Sequence, residues 1–307
     1  METGKGLTTA EWATITTNQP MKGLVEALGD ELEWRKDAAT AIPTGFDAWD
    51  TRLGGLFAGD LVSVVGAVGS GTSSLLLAIT NSALRAGHPV IYVSCQRPAS
   101  QLVERFVAVR ANVDELRLRA GHLNEKQMIR VRAAMDQVAR LALYPITTRE
   151  PSAIVEAVAA VNMTNDFAAP LVIIDGYEEF VAGTLDGGQP GRDRILALRD
   201  AAHEMKFALV FAARLTEVLP QLPRAIHEVP EDLAHYSDVV LALAPDEDAW
   251  TDTETSTLKL TVVKHRTADP KMTRSLLLQR SGRYGWMVDH TAKVSFAKSL
   301  RPIWPPD

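Results

Sequence analysis

The chain has 307 residues, 46% of them hydrophobic and 23% charged, enough for one large α/β domain with appendages and a sizeable core. Its 32 basic and 38 acidic side chains leave a formal charge of -6, which excludes a strongly basic nucleic-acid module, and the composition excludes a disordered chain. A lone cysteine, Cys95, excludes a disulfide scaffold, and apolar runs such as Phe207 to Ala213 fall far short of a membrane span.

Residues 1–41 read as an arm. Within it Met21, Leu24, Val25, Leu28 and Leu32 recur at helical spacing and make one narrow apolar stripe. A short amphipathic helix cannot bury such a stripe alone, so it docks either on its own core or on a neighbouring subunit. No apolar leader precedes it, and a soluble, cytoplasmic protein is expected.

From Ile42 to about residue 289 the texture is that of a folded domain. Pro43, Gly45, Gly54, Gly55 and Gly59 punctuate its start. Strands are then predicted at Leu61–Val65, Val90–Cys95, Leu143–Thr147, Leu171–Asp175 and Ala208–Ala212. Helices are predicted between them at Ser73–Arg85, Ser100–Val109, Glu125–Leu141, Ser152–Val161 and Asp193–Met205. Strands alternating with crossover helices imply an α/β fold with a mostly parallel sheet covered on both faces. The last strands, Asp238–Leu243, Leu258–Val263, Ser275–Gln279 and Tyr284–Val288, have only short connections and predict an antiparallel C-terminal edge. Residues 290–307, with Pro302, Pro305 and Pro306, read as a tail.

The chemistry concentrates where the first long strand ends. Gly66-Ala67-Val68-Gly69-Ser70-Gly71-Thr72-Ser73-Ser74 sits between a strand and a helix, as a phosphate-binding loop must. Glycines let the backbone curl so that N–H groups converge, and the helix N-terminus adds a positive dipole end. The spacing fits G-x-x-x-x-G-K-[ST], with Gly66, Gly69 and Gly71 shaping the loop, Ser74 following it and Ser73 at the position whose hydroxyl holds magnesium. The lysine position, however, is Thr72, and no lysine occurs between Asp37 and Glu125. The alternative reading is a glycine-rich turn without a ligand. Leu171-Val172-Ile173-Ile174-Asp175 supplies the partner signal, a carboxylate at the carboxyl end of a parallel strand that can join a magnesium shell.

Ile42-Pro43-Thr44-Gly45-Phe46, Leu53-Gly54-Gly55-Leu56, Gly59-Asp60-Leu61, Val93-Ser94-Cys95-Gln96, the Asp175 strand, Asp238-Val239-Val240-Leu241 and Lys264-His265-Arg266 follow one another in an order and spacing that resemble the RecA-like motor domain of DnaB-type replicative helicases. The resemblance covers roughly residues 42–289 and implies a P-loop NTPase core, ATP with magnesium as cofactor, and a ring of like subunits. It places residues 21–34 where the family has a linker helix that packs on the adjacent subunit. Ser73 and Asp175 match the family's magnesium positions. Lys264 and Arg266 match a pair that reaches from one subunit into the next subunit's nucleotide.

The departures fall on the chemistry. Thr72 replaces the family's lysine, Gln96 its catalytic glutamate, and Arg214 the glutamine that senses phosphate. A glutamine can orient a water but cannot take its proton, so general-base activation is lost. Glu178 and Glu179, just past Asp175, are either a substitute base or an exposed acidic turn. Single-stranded DNA contact, also implied by the family, falls on the loops at Gly183–Arg194 and Arg214–Asp232, with Arg192, Arg194 and Arg224 as candidate phosphate contacts. The second of these loops is net acidic, which opposes backbone binding. The expected function is a DnaB-like protein of DNA replication or repair, assembled with its own or other helicase-like subunits, that binds ATP weakly and hydrolyses it poorly. The alternatives are a non-enzymatic assembly protein on the same scaffold and a fully active DNA helicase.

Overall fold

A computed structural model describes residues 41–164, 168–182, 190–215, 229–246, 255–267 and 275–290, with single positions at 23, 25, 26, 28, 29, 32 and 226. Strand β1 (Ala41–Ile42) pairs antiparallel with β2 (Leu56–Phe57), and helix α1 (Asp47–Leu53) lies between them. This small unit went unread in the sequence because each element is very short. It is fixed by the Asp50 carboxylate, whose Oδ1 accepts from the Thr44 amide (2.9 Å) and hydroxyl (2.7 Å).

The main sheet then begins. In chain order its first half is β3 (Leu61–Gly66), α2 (Thr72–Arg85), β4 (Val90–Ser94), α3 (Ala99–Ala111), α4 (Glu115–Arg119), α5 (Glu125–Val138) and β5 (Leu143–Ile146). The second half runs α6 (Pro151–Thr164), β6 (Leu171–Asp175), α7 (Tyr177–Val181), α8 (Pro190–Met205), β7 (Ala208–Arg214), α9 (Glu231–Tyr236) and β8 (Val239–Pro245). Strands β9 (Thr255–His265), β10 (Leu276–Ser281) and β11 (Met287–Asp289) close the edge.

The nine strands lie in the order β11-β10-β9-β8-β3-β7-β6-β4-β5. From β8 to β5 every pairing is parallel, and β9, β10 and β11 join antiparallel, as predicted. Alternation along β3 shows why both faces are covered. Val62 and Val64 pack with Leu75, Leu76 and Ile79 of α2 on one side, while Leu61 and Val65 pack with Ile154 of α6 and Leu198 of α8 on the other. Burial on both faces is what makes these strands near-continuous apolar runs. Among the described residues no helix is long and apolar enough to cross a membrane.

In the N-terminal stripe Val25, Leu28 and Leu32 are helical and exposed, so these three do not dock on the chain's own core. Met21 and Leu24 lie outside the described residues, as do the tail after His290 and most of the two loops proposed for DNA.

Candidate functional site

Strand β3 ends at Gly66, and the chain must turn at once to enter α2. A Cβ on Gly66 would lie 2.8 Å from the Leu243 carbonyl oxygen and closer still to Ser70 Oγ. The turn closes with the Ser70 amide donating to Ala67 O (3.0 Å), and Gly71, at φ 103°, caps the helix in a left-handed conformation. The first amides of α2, at Thr72, Ser73 and Ser74, therefore project from a helix N-terminus, where unsatisfied donors and the dipole favour an anion. Thr72 contributes no cation, and its Cγ2 is turned back toward Gly66, 3.1 Å from where a Cβ there would lie. Because the crowding at Gly66 involves backbone, Gly66→Ala is expected to cost about 1–3 kcal/mol in a urea titration. Gly69→Ala, with open space around it but φ at 80°, should cost about 1–2 kcal/mol from backbone strain alone.

Asp175 reaches this turn from the carboxyl end of β6. Its Oδ1 accepts from Ser73 Oγ (3.2 Å) and its Oδ2 from Tyr92 OH (2.9 Å). Tyr92 lies on β4 and was not singled out in the sequence; burial and the Asp175 charge push its phenol well above the usual range. A hydroxyl and a carboxylate side by side are a fitting partial ligand set for magnesium, which keeps waters and substrate phosphates as its other ligands. No group of three or more His, Cys, Asp or Glu side chains able to hold a metal occurs among the described residues.

The positions expected to do chemistry form a second cluster. Gly176, at φ 117°, turns the chain so that α7 packs back on the sheet with Tyr177 and Phe180 buried. This corrects the reading of Glu178 and Glu179 as an exposed acidic turn. Glu178 accepts from the Arg214 amide (2.5 Å) and Nε (3.4 Å), and Glu179 accepts from Arg214 Nη2 (2.5 Å). Burial pushes the Glu179 carboxyl up, but the neighbouring Gln96 amide and Arg214 guanidinium outweigh burial and hold it below its ordinary value. Gln96 and Arg214 are thus brought together through Glu179. Cys95, beside them, is buried and its thiol is pushed up to about 12 by burial and then by Glu179, which makes it a packing residue.

Lys264 and Arg266 lie elsewhere. Gly66 pairs with Leu243, whereas His265 pairs with Val239, so the basic pair sits at the opposite end of the strands, beside the start of β8. The offset along the strands is about 13 Å at ~3.3 Å per residue. Lys264 Nζ donates to Ala234 O (2.8 Å) and His235 O (3.2 Å) in α9, and Arg266 pairs with Asp238 (2.5 Å). Neither can serve the loop of its own chain.

The candidate DNA residues divide. Arg194 is 2% exposed; its guanidinium donates to the Arg149 carbonyl and to Glu150 and lies over the Phe180 ring. It is a buried structural arginine and not a phosphate contact. Its neighbour Arg192 is exposed on the first turns of α8, with its guanidinium 5.8 Å from the Tyr236 ring. Arg224 lies outside the described residues.

Two arginines at the loop had no signal in the sequence. Arg105 Nη2 donates to Ser74 Oγ (3.0 Å), and Arg280 Nη1, from β10, donates to Gly69 O (3.0 Å). Neither lies near the glycine loop in sequence.

Comparison with known proteins places this geometry. The sequence profile described as the DnaB-like helicase C terminal domain matches residues 41–279. The replicative DNA helicase DnaC of Bacillus subtilis is 25% identical over 223 residues, 72% of this chain and 48% of that protein. The replicative DNA helicase DnaB of Synechocystis is 28% identical over 224 residues, 69% of this chain and 25% of that protein. The chain thus spans half or less of the length of these curated relatives. Among solved structures, one described as an ATPase domain superposes with a TM-score of 0.72 at 14% identity, covering 87% of this chain and 98% of that one. A DnaB-like replicative helicase, whose structure was described together with its interactions with primase, gives 0.71 at 13% identity, covering 90% and 73%. At that identity these two likenesses speak for the fold.

Proposed function

Because the chain belongs to the family of DnaB-like helicase C-terminal domains, we propose that it acts in DNA replication or repair as a weak ATP-binding subunit with impaired hydrolysis. The observation that carries this reading is the Ser73–Asp175 contact at the mouth of a glycine loop whose cationic position is Thr72. The backbone amides of Thr72, Ser73 and Ser74 hold phosphate oxygens. Ser73 and Asp175 would hold magnesium, which when bound neutralises charge on the phosphates.

What the chain lacks sets the rate. A charge-assisted hydrogen bond is worth roughly 1.5–3 kcal/mol, so losing the loop lysine costs about ten- to a hundredfold in affinity. Gln96 orients a water without accepting its proton. Glu179 is the nearest carboxylate, but its pairing with Arg214 weakens it as a base and occupies the sensor arginine. Lys264 and Arg266 point to a ring in which they serve a neighbour's site, with the exposed Val25, Leu28 and Leu32 as part of the seam between subunits. In such a ring, beside competent subunits, this chain would contribute charge in trans while its own site stays slow. Single-stranded DNA would then be held by the assembly, with Arg192 and Arg224 as this chain's contributors.

Calorimetry with Mg·ATP, alongside phosphate release with and without single-stranded DNA, tests the reading. Weak binding with turnover near background is expected. No binding would leave a scaffold on a RecA-like fold, and robust DNA-stimulated hydrolysis would establish an active motor.

A further inference from the structure

Residue Arg280 belongs to the antiparallel edge, yet its side chain lies at the phosphate loop. It reaches from β10 across to Gly69, and a Cβ on Gly71 would sit 2.7 Å from its Nη1 and 3.0 Å from its Cδ. Gly71 is therefore small for two reasons, its left-handed backbone and the guanidinium stem packed against it. Among the described residues no carboxylate forms an ion pair with Arg280, and its Nε is buried without a hydrogen-bond partner. Among the described residues, the charged group that acts on it is another cation, Arg105. Arg105 holds Ser74 on the same helix turn and meets Glu115 only at 3.7 Å. Burial, and then Arg105, pull the Arg280 pKa down, the signature of a cation that lacks an anion. One guanidinium thus contacts the loop at Gly69 and another the first turn of α2 at Ser74, where the helix dipole also favours a negative ligand.

We propose that Arg280 supplies in cis the phosphate-binding cation that Thr72 does not, contacting the β-phosphate of a bound nucleoside di- or triphosphate from the antiparallel edge of the sheet. The inference rests on the nucleotide-binding reading above and names the residue that makes it work. A guanidinium delivered from a distant strand can do the job of a local lysine because the cradle requires only a cation at hydrogen-bond range. It differs in direction: the charge approaches beside Gly69 and Gly71 and not along the helix axis.

Calorimetric titration with Mg·ADP and with AMP tests this on the whole chain, without any requirement for turnover. Arg280→Gln is expected to weaken ADP by about ten- to a hundredfold and AMP far less, since AMP lacks the β-phosphate. Arg280→Lys should lie between the variant and wild type. Adding Thr72→Lys to Arg280→Gln should recover most of the loss, because the two cations are alternatives. Equal ADP affinity in wild type and Arg280→Gln would overturn the proposal while leaving nucleotide binding intact. Equal loss of ADP and AMP, with a lowered melting temperature of the free protein, would show Arg280 to be a strut of the loop and would overturn it too. Wild-type protein that binds neither nucleotide would overturn the nucleotide-binding reading itself, and Arg280's role with it.

Discussion

Thr72→Lys combined with Gln96→Glu is expected to raise ATP turnover at least about tenfold over the wild-type chain, measured as phosphate release at saturating Mg·ATP. A positioned general base contributes roughly 10²–10⁴-fold, and the restored lysine strengthens the hold on the phosphates by about ten- to a hundredfold. The gain falls below the product because the surroundings have changed around both positions. Arg214 is tied to Glu178 and Glu179, and its release has a cost that the two reversions do not remove. A carboxylate at position 96 would face Glu179 directly, and two like charges in contact raise the pKa of one of them. That raises basicity in the range a general base needs, so turnover of the double variant should climb with pH until the raised carboxyl is fully ionised. Thr72→Lys alone should tighten binding with little gain in rate. Unchanged turnover in the double variant would move the block to the Arg214 pairing, and the triple variant carrying Arg214→Gln would then be the one to recover activity.

The largest effect on stability is expected at Phe211. It is fully buried in β7, its ring edge-on to Tyr177 at 6.0 Å and tilted against Phe180 at 5.7 Å. Phe211→Ala should cost about 3–5 kcal/mol, a large share of the roughly 5–15 kcal/mol that separates folded from unfolded domains. The loss falls on the packing of α7, the helix that carries Glu178 and Glu179, so the Arg214 pairing should loosen with it. Urea denaturation of Phe211→Ala beside Met163→Ala makes the comparison. Met163 is 86% exposed on α6, and its removal should stay within about 0.5 kcal/mol. A Phe211→Ala cost below about 1 kcal/mol would mean that the aromatic cluster is not a packed unit.

The sequence by itself determined the sheet and its loop. Strands buried on both faces must be near-continuous apolar runs, so Leu61–Gly66, Leu171–Asp175 and Ala208–Arg214 were legible within a residue or two at their ends. The glycine loop, the missing lysine at Thr72 and the carboxylate at Asp175 were legible for the same reason: each is a local constraint on backbone or charge. Elements held by distant partners were not. Helices Asp47–Leu53, Glu115–Arg119, Tyr177–Val181 and Glu231–Tyr236 are too short to form on propensity alone and exist through caps and tertiary packing. The acidic pair Glu178–Glu179 read as either a substitute base or an exposed turn until α7 folded it onto Arg214, and Arg194 read as a phosphate contact until α8 buried it over Phe180. Tyr92 and Arg280 carried no local signal, since the contacts that give them meaning span 83 and 211 residues of chain. Only the folded sheet, which sets β10 within a guanidinium's reach of Gly69, decided that the loop without a lysine still has a cation beside it.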